Sequence, residues 1–175
     1  MHYNLRIPLK QKDIDKLEIY DTVNLSGKIY AGRDAALPRL VACMREGRLD
    51  ELGIDLTGSV VFHTAVSCAG VGPTSSNKLE IEESLEPLSA GGVKLHLGKG
   101  SLEDSSVAAL ARFQSVFAVT PPVTALFFAN MIAQRLTAFP ELGMEALYEL
   151  EVVDFPAIIA VAHGRAIFTE GAATC

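Results

Sequence analysis

The stretch from Val93 to Val119, VKLHLGKGSLEDSSVAALARFQSVFAV, decides the fold class. It opens on a short apolar run, Val93 to Leu97, and turns at Gly98-Lys99-Gly100. It then takes helical spacing from Leu102 to Phe113 and closes on a second apolar run, Val116 to Val119. The segment before it has the same grammar. Gly58 to Val66, GSVVFHTAV, reads as a buried strand, and Cys68 to Ser76 is a small, polar, glycine-rich loop. Asn77 to Leu88 has helical spacing through Leu79, Ile81, Leu85 and Leu88, with a stop at Gly91-Gly92. Strands alternating with helices favour an α/β architecture.

Further upstream, His2 to Leu9 reads as a strand interrupted at Pro8, and Lys12 to Leu17 as a short charged helix. Asp21 to Tyr30 reads as a strand broken by a turn or bulge at Gly27. A helix starts near Gly32-Arg33-Asp34 and runs through AALPRLVACMREG to Gly47, with Pro38 in its first turns, where a missing N–H is best tolerated. Downstream of Pro121-Pro122, Val123 to Ala129 reads as an apolar helix, and Met131 to Phe139 fits either helix or strand. Three closing strands follow: Met144 to Val153, Ala157 to Ala162 and Arg165 to Thr169. With no repeat, linker or low-complexity tract, residues 1–175 are expected to form a single domain.

Composition narrows the function classes. Fifteen Lys and Arg against 21 Asp and Glu give a net charge of −6, which disfavours nucleic acid and anionic membrane as partners. No apolar run approaches the roughly 18 residues of a spanning helix, and the polar start MHYNLRIPLKQKD is unlike a signal peptide, so a cytoplasmic setting is expected. Cys43, Cys68 and Cys175 form no CxxC and no zinc spacing, so no metal site is expected within this chain.

Three loops stand out because each joins glycine to a cation or hydroxyls after a strand. They are Gly32-Arg33-Asp34, Gly72-Pro73-Thr74-Ser75-Ser76-Asn77-Lys78 and Gly98-Lys99-Gly100. Ligands of open α/β sheets collect at such strand ends, so the set suggests an anion site. The standard phosphate motifs fail: Ser75 stands where GxGxxG needs its third glycine, and Gly100 where a Walker loop needs Ser or Thr. Each loop also has a plainer reading, with Arg33 in a local ion pair, Thr74 to Ser76 as a helix cap, and Lys99 in a solvated turn. His63 and His96, on apolar strands, read as hydrogen-bonded core residues, and Cys43 as a core thiol. Glu80, Glu82, Glu83 and Glu86 read as a solvated helix face.

Taken in order, LSGKIYAGRDAA, GPTSSNK, LHLGKG and ELGMEALYELEVVDFPAIIAV resemble the β subunit, or carboxyl-terminal domain, of class I iron–sulfur fumarate hydratases and L-tartrate dehydratases, from about Leu5 to about Phe168. The resemblance implies a swivelling β/β/α domain, a mixed sheet with helices packed against it. It implies a hydro-lyase that reversibly hydrates fumarate to L-malate. Its [4Fe–4S] cluster would be held by three cysteines of a separate α subunit, and the fourth iron would act as Lewis acid. An α2β2 hetero-oligomer, inactive without the α subunit, is the expected assembly. L-tartrate dehydration, mesaconate hydration, or a non-catalytic carboxylate-binding module are the alternatives.

By the same resemblance, Arg33 binds a substrate carboxylate, for which a guanidinium fork is well matched. Thr74 is the base for the C3 proton, and Lys99 is the cation that favours its deprotonated form. Ser75 and Lys78 complete the substrate-binding set. Lys78 stands where an arginine is typical and gives up bidentate geometry. Leu37-Pro38 replaces His-Lys after GRDAA, and Thr120-Pro121-Pro122 replaces a glycine-rich stretch.

Overall fold

The computed structural model describes residues 1–67, 70–74, 78–121 and 129–167, with 67, 70–74 and 78–80 described as backbone only. Among the described residues, six strands and four helices occupy the first two thirds of the chain: β1 (His2–Arg6), α1 (Gln11–Ile14), β2 (Thr22–Gly32), α2 (Ala36–Arg45), β3 (Val60–Ser67), β4 (Gly70–Thr74), α3 (Lys78–Ala90), β5 (Leu95–Gly98), α4 (Asp104–Arg112) and β6 (Val116–Val119). The remainder is β-rich, with β7 (Met131–Ala138), a 3-10 segment (Pro140–Glu145), β8 (Leu147–Ala162) and β9 (Arg165–Ala166).

The strands form one mixed sheet. β1, β2, β3, β5 and β6 run parallel, while β7 and β8 pair antiparallel to their neighbours. β8 pairs with both β6 and β2, so β2, β3, β5, β6 and β8 close into a ring. Closure buries both faces of the central strands, which explains their nearly continuous apolar sequence. One face fills the ring with Leu25, Ile29, Phe62, Leu95, Leu97, Val116, Phe155 and Ile159. Phe62 and Phe155 meet there edge to face, with centroids 5.7 Å apart.

The outer face is covered by helices. Leu37, Leu40 and Val41 of α2, with Leu88 of α3, pack over Val61. Leu85 of α3 and Leu110 of α4 pack over Phe117. This is the expected α/β arrangement, a mixed sheet with helices packed against it. Cys43 is buried in α2, as read from its helix face.

Four local readings change. The glycine-rich segment after β3 is not all loop, because Gly70–Thr74 forms β4 and folds back on β3. Two of the expected closing strands are one: β8 runs through Pro156, which sits opposite Asn24. The chain survives the proline because the irregularity is matched across the ladder. The register shifts between Leu25 and Gly27, where Gly27 has φ 127°, and Asp154, with φ 51°, donates its N–H to Ser26 Oγ at 3.0 Å. The third closing strand is only the short β9, and Thr169 lies outside the described residues. Met131 to Phe139 resolves as strand, whereas the expected helix from Val123 lies almost wholly outside the described residues.

The acidic helix face is also only partly solvated. Glu82 of α3 accepts the Glu103 N–H at 3.0 Å and the Ser106 hydroxyl, and Glu86 pairs with Arg112. Glu82 thereby caps the start of α4, whose own N-cap side chain makes no capping bond.

Candidate functional site

The ladders assemble the candidate residues before any side chain is considered. Gly32 of β2 pairs with His63 of β3, and Phe62 of β3 with Leu97 of β5. Just beyond, Arg33 leaves β2 after Gly32 and Lys99 leaves β5 after Gly98, beside Thr64. β4 then returns antiparallel so that Thr74 pairs with Thr64. Arg33, Thr74 and Lys99 therefore lie at one level, at the carboxyl ends of adjacent parallel strands, where bound ligands collect in such sheets.

Glycines make that level possible at two points. A Cβ on Gly32 would stand 3.1 Å from Leu147 Cδ1 and 3.2 Å from Leu37 Cδ2. A Cβ on Gly98 would stand 2.9 Å from Phe117 Cζ, inside any normal contact. Both glycines let strand ends sit directly against the core while the next residue emerges.

Arg33 is anchored by its backbone, because its carbonyl accepts the N–H groups of Ala36 and Leu37 at 3.1 and 2.9 Å and so starts α2. Its half-buried side chain lies 3.9 Å from Asp34 and 3.9 Å from Glu145, the latter contributed by the segment before β8. The ion-pair reading of Arg33 is therefore part of the truth. Yet its Nε is buried with no hydrogen-bond partner among the described residues, and its two ion pairs are long. Such a guanidinium retains donors for an anionic ligand.

Lys99 is exposed, and the turn continues through Gly100 at φ 83°. Thr74 ends β4 and Lys78 opens α3, but their side chains lie outside what is described, as does Ser75 entirely. The altered residue Leu37 is buried at 2% exposure and packs in the core under the Arg33 loop, while its neighbour Pro38 is exposed.

Directly beneath this level lies a polar chain in an otherwise apolar layer. His63 Nε2 and His96 Nδ1 are 3.3 Å apart, His96 Nε2 and Ser89 Oγ are 2.9 Å apart, and Ser115 donates to Ser89 Oγ at 2.9 Å. All four residues are buried. Burial pushes His63 down to about 4, with the Asp34 carboxylate opposing it, and holds His96 well below the usual imidazole range, with His63 adding to the effect. Both rings are neutral at neutral pH. The expectation of hydrogen-bonded core histidines is met, but their linkage to the Arg33 loop, and the role of Glu145, are not visible in sequence. Strand alternation puts His63 and His96 on the helix-covered face; only the fold makes them neighbours.

Among the described residues, no three His, Cys, Asp or Glu side chains converge to hold a metal ion, and no helix is long and apolar enough to cross a membrane. Cys68 and Cys175 lie outside the described residues.

Comparisons with known proteins identify the family. The family model described as "Fumarase C-terminus" matches residues 1–171. The chain is 30% identical over 177 residues to a protein of Methanocaldococcus jannaschii named "Putative L(+)-tartrate dehydratase subunit beta", covering 93% of this chain and 89% of that one. It is 27% identical to the L(+)-tartrate dehydratase subunit beta of Escherichia coli K12, covering 95% of this chain and 86% of the other. It is 26% identical to a Geobacillus stearothermophilus protein named "Putative fumarate hydratase class I", covering 95% of this chain but 33% of that longer protein. With a family model spanning nearly its whole length and the loop residues that carry the resemblance set at one level of the sheet, the chain belongs to the fumarase C-terminus family, the β-subunit family of iron–sulfur hydro-lyases.

Proposed function

We propose that this chain is the β subunit of a dicarboxylate hydro-lyase that interconverts fumarate and L-malate, completed by an α subunit. The observation that carries the reading is the single level shared by Arg33, Thr74 and Lys99, next to a buried Arg33 Nε without a hydrogen-bond partner among the described residues. A small dianion needs cations near its charges and a base near the carbon that loses its proton. Arg33 binds one carboxylate by its fork, and Lys78 and Ser75 complete that grip. Thr74 takes the C3 proton, and the charge of Lys99 favours the deprotonated hydroxyl over the neutral one. The acidic chain thus gathers Arg33 and Lys99 at one end of the sheet.

The described residues do not fit a [4Fe–4S] cluster, since Cys43 is buried in α2 with the Arg48 guanidinium 3.8 Å from its Sγ, and no three His, Cys, Asp or Glu side chains converge among the described residues. We assign the cluster to the α subunit's cysteines, in an α2β2 assembly, and leave to this chain the grip on substrate and the proton. A second reading, L-tartrate dehydration, is favoured by the names of the relatives in Methanocaldococcus jannaschii and Escherichia coli, whose lengths this chain nearly spans. The same grip serves both substrates.

Anaerobic reconstitution with the α subunit, assayed with fumarate, mesaconate and L-tartrate, tests the reading. Turnover is expected with fumarate, and Thr74→Ala should abolish it while leaving the complex assembled. A reconstituted complex inactive toward every dicarboxylate sinks the hydro-lyase reading and favours a carboxylate-binding module. Turnover by Thr74→Ala removes Thr74 as the base.

A further inference from the structure

The proposed reaction leaves the buried histidine chain unused, although its end member pairs with the strand end that carries Arg33. His63 pairs across the ladder with Gly32, the residue before Arg33, and His96 stands three residues before Lys99. His63 is fully buried, and its Nδ1 has no hydrogen-bond partner among the described residues. An imidazole nitrogen left so in a native interior calls for an explanation.

The chain has a direction. Ser115 has two acceptors within reach, Ser89 Oγ at 2.9 Å and the Leu110 carbonyl at 3.4 Å, and the shorter contact is the better bond. If Ser115 donates to Ser89, Ser89 has its own proton to give to His96 Nε2. A neutral His96 then carries its proton on Nδ1 and donates to His63 Nε2. A neutral His63 must in turn carry its proton on Nδ1. Asp34 lies two residues after Gly32, the ladder partner of His63, and its negative charge acts on the His63 ring, which favours a ring N–H over a lone pair on the side nearer the carboxylate.

We propose that His63 is a positioning residue for the Arg33–Asp34 loop: the Ser115–Ser89–His96 chain turns its Nδ1–H toward Asp34, and Asp34, 3.9 Å from the Arg33 guanidinium, keeps that fork aimed at a substrate carboxylate. The role in substrate grip rests on the hydro-lyase reading; the proton's location does not. Loss of the donor should therefore weaken substrate binding more than the chemical step.

Two measurements test it. Nitrogen-15 NMR of the full chain reads the histidine tautomers directly: a protonated Nδ1 and bare Nε2 are expected for His63, with the Nδ1 resonance moving in Asp34→Asn. A protonated Nε2, or no response to Asp34→Asn, overturns the proposal. In the reconstituted enzyme, His63→Asn keeps an N–H where Nδ1 stood, and His63→Gln moves it to the Nε2 position. The first should hold KM within about threefold, while the second raises KM about tenfold, with kcat changed less than about threefold, as expected when the aim of the Arg33 fork is disturbed and the chemical step is not. Equal effects of the two variants, or a loss confined to kcat, overturn the positioning role. If the wild-type complex turns over no dicarboxylate, the hydro-lyase reading fails, and the tautomer measurement still decides what His63 does.

Discussion

At the residue scale, the chemistry turns on the donors at the strand ends that have no partner among the described residues. Arg33 illustrates the balance. Its charge has carboxylates 3.9 Å away on two sides, too far for strong charge-assisted hydrogen bonds, and its Nε is buried. Lysine would keep the charge but present a point in place of a planar fork and leave the Nε position empty. Arg33→Lys is expected to raise KM for the dicarboxylate about tenfold or more, with the heteromer still assembled. A KM unchanged in steady-state kinetics would show that Arg33 is only a loop-stabilising ion pair. The sequence points to Arg33 through its glycine neighbour and helix-start position, but Glu145, 112 positions later, reaches it only because β8 returns along β2.

At the element scale, α3 does more than cover the sheet. Its inner face carries Ile81, Ser84, Leu85, Leu88 and Ser89, all buried, so two serines interrupt an otherwise apolar stripe. Ser89 is there to meet His96. Its other side supplies Glu82, which accepts the Glu103 N–H and ties α3 to the start of α4. Helix ends left without a cap cost about 1 kcal/mol. Glu82→Ala should therefore lower unfolding stability by about 1–2 kcal/mol in urea titration, with Glu82→Gln losing less. An unchanged midpoint for Glu82→Ala would return Glu82 to the solvated face that charge spacing alone suggests. Helix spacing identifies α3 from Leu79, Ile81, Leu85 and Leu88, but a carboxylate that caps a neighbouring helix looks like any other acidic residue until the two helices are side by side. β4 and the long β8 are hidden for a related reason. Glycine and proline announce breaks, yet the bulge at Gly27 and the left-handed Asp154 let the ladder absorb them.

At the scale of the whole molecule, the buried imidazoles couple stability to pH. Unfolded, each takes up a proton below about 6.5; folded, His63 does so only near 4 and His96 is also held well below the usual range. Between those values the unfolded state binds more protons, so stability falls as pH falls. Unfolding free energy should drop by roughly 2 kcal/mol between pH 7 and pH 5 from His63 alone, since one pH unit of differential protonation is worth about 1.4 kcal/mol, and His96 adds to the drop in the same direction. His63→Asn should flatten that dependence, as followed by urea denaturation across the pH range. An equally steep slope in the variant would place the acid sensitivity elsewhere.

What the sequence by itself determined is the class of the fold and the identity of the loops. Alternating apolar runs and glycine turns dictate strands, helices and exposed junctions locally, without reference to distant residues. The motifs GRDAA, GPTSS and LGKG mark which junctions carry cations and hydroxyls. Only the tertiary structure decided that these loops stand at one level, that β8 closes the sheet against β2, and that His63 and His96 form a chain beneath Arg33. The reason is physical. Ladder register and ring closure are set by pairings between residues scores of positions apart, and a buried polar group reveals its purpose only when its hydrogen-bond partners arrive from other strands.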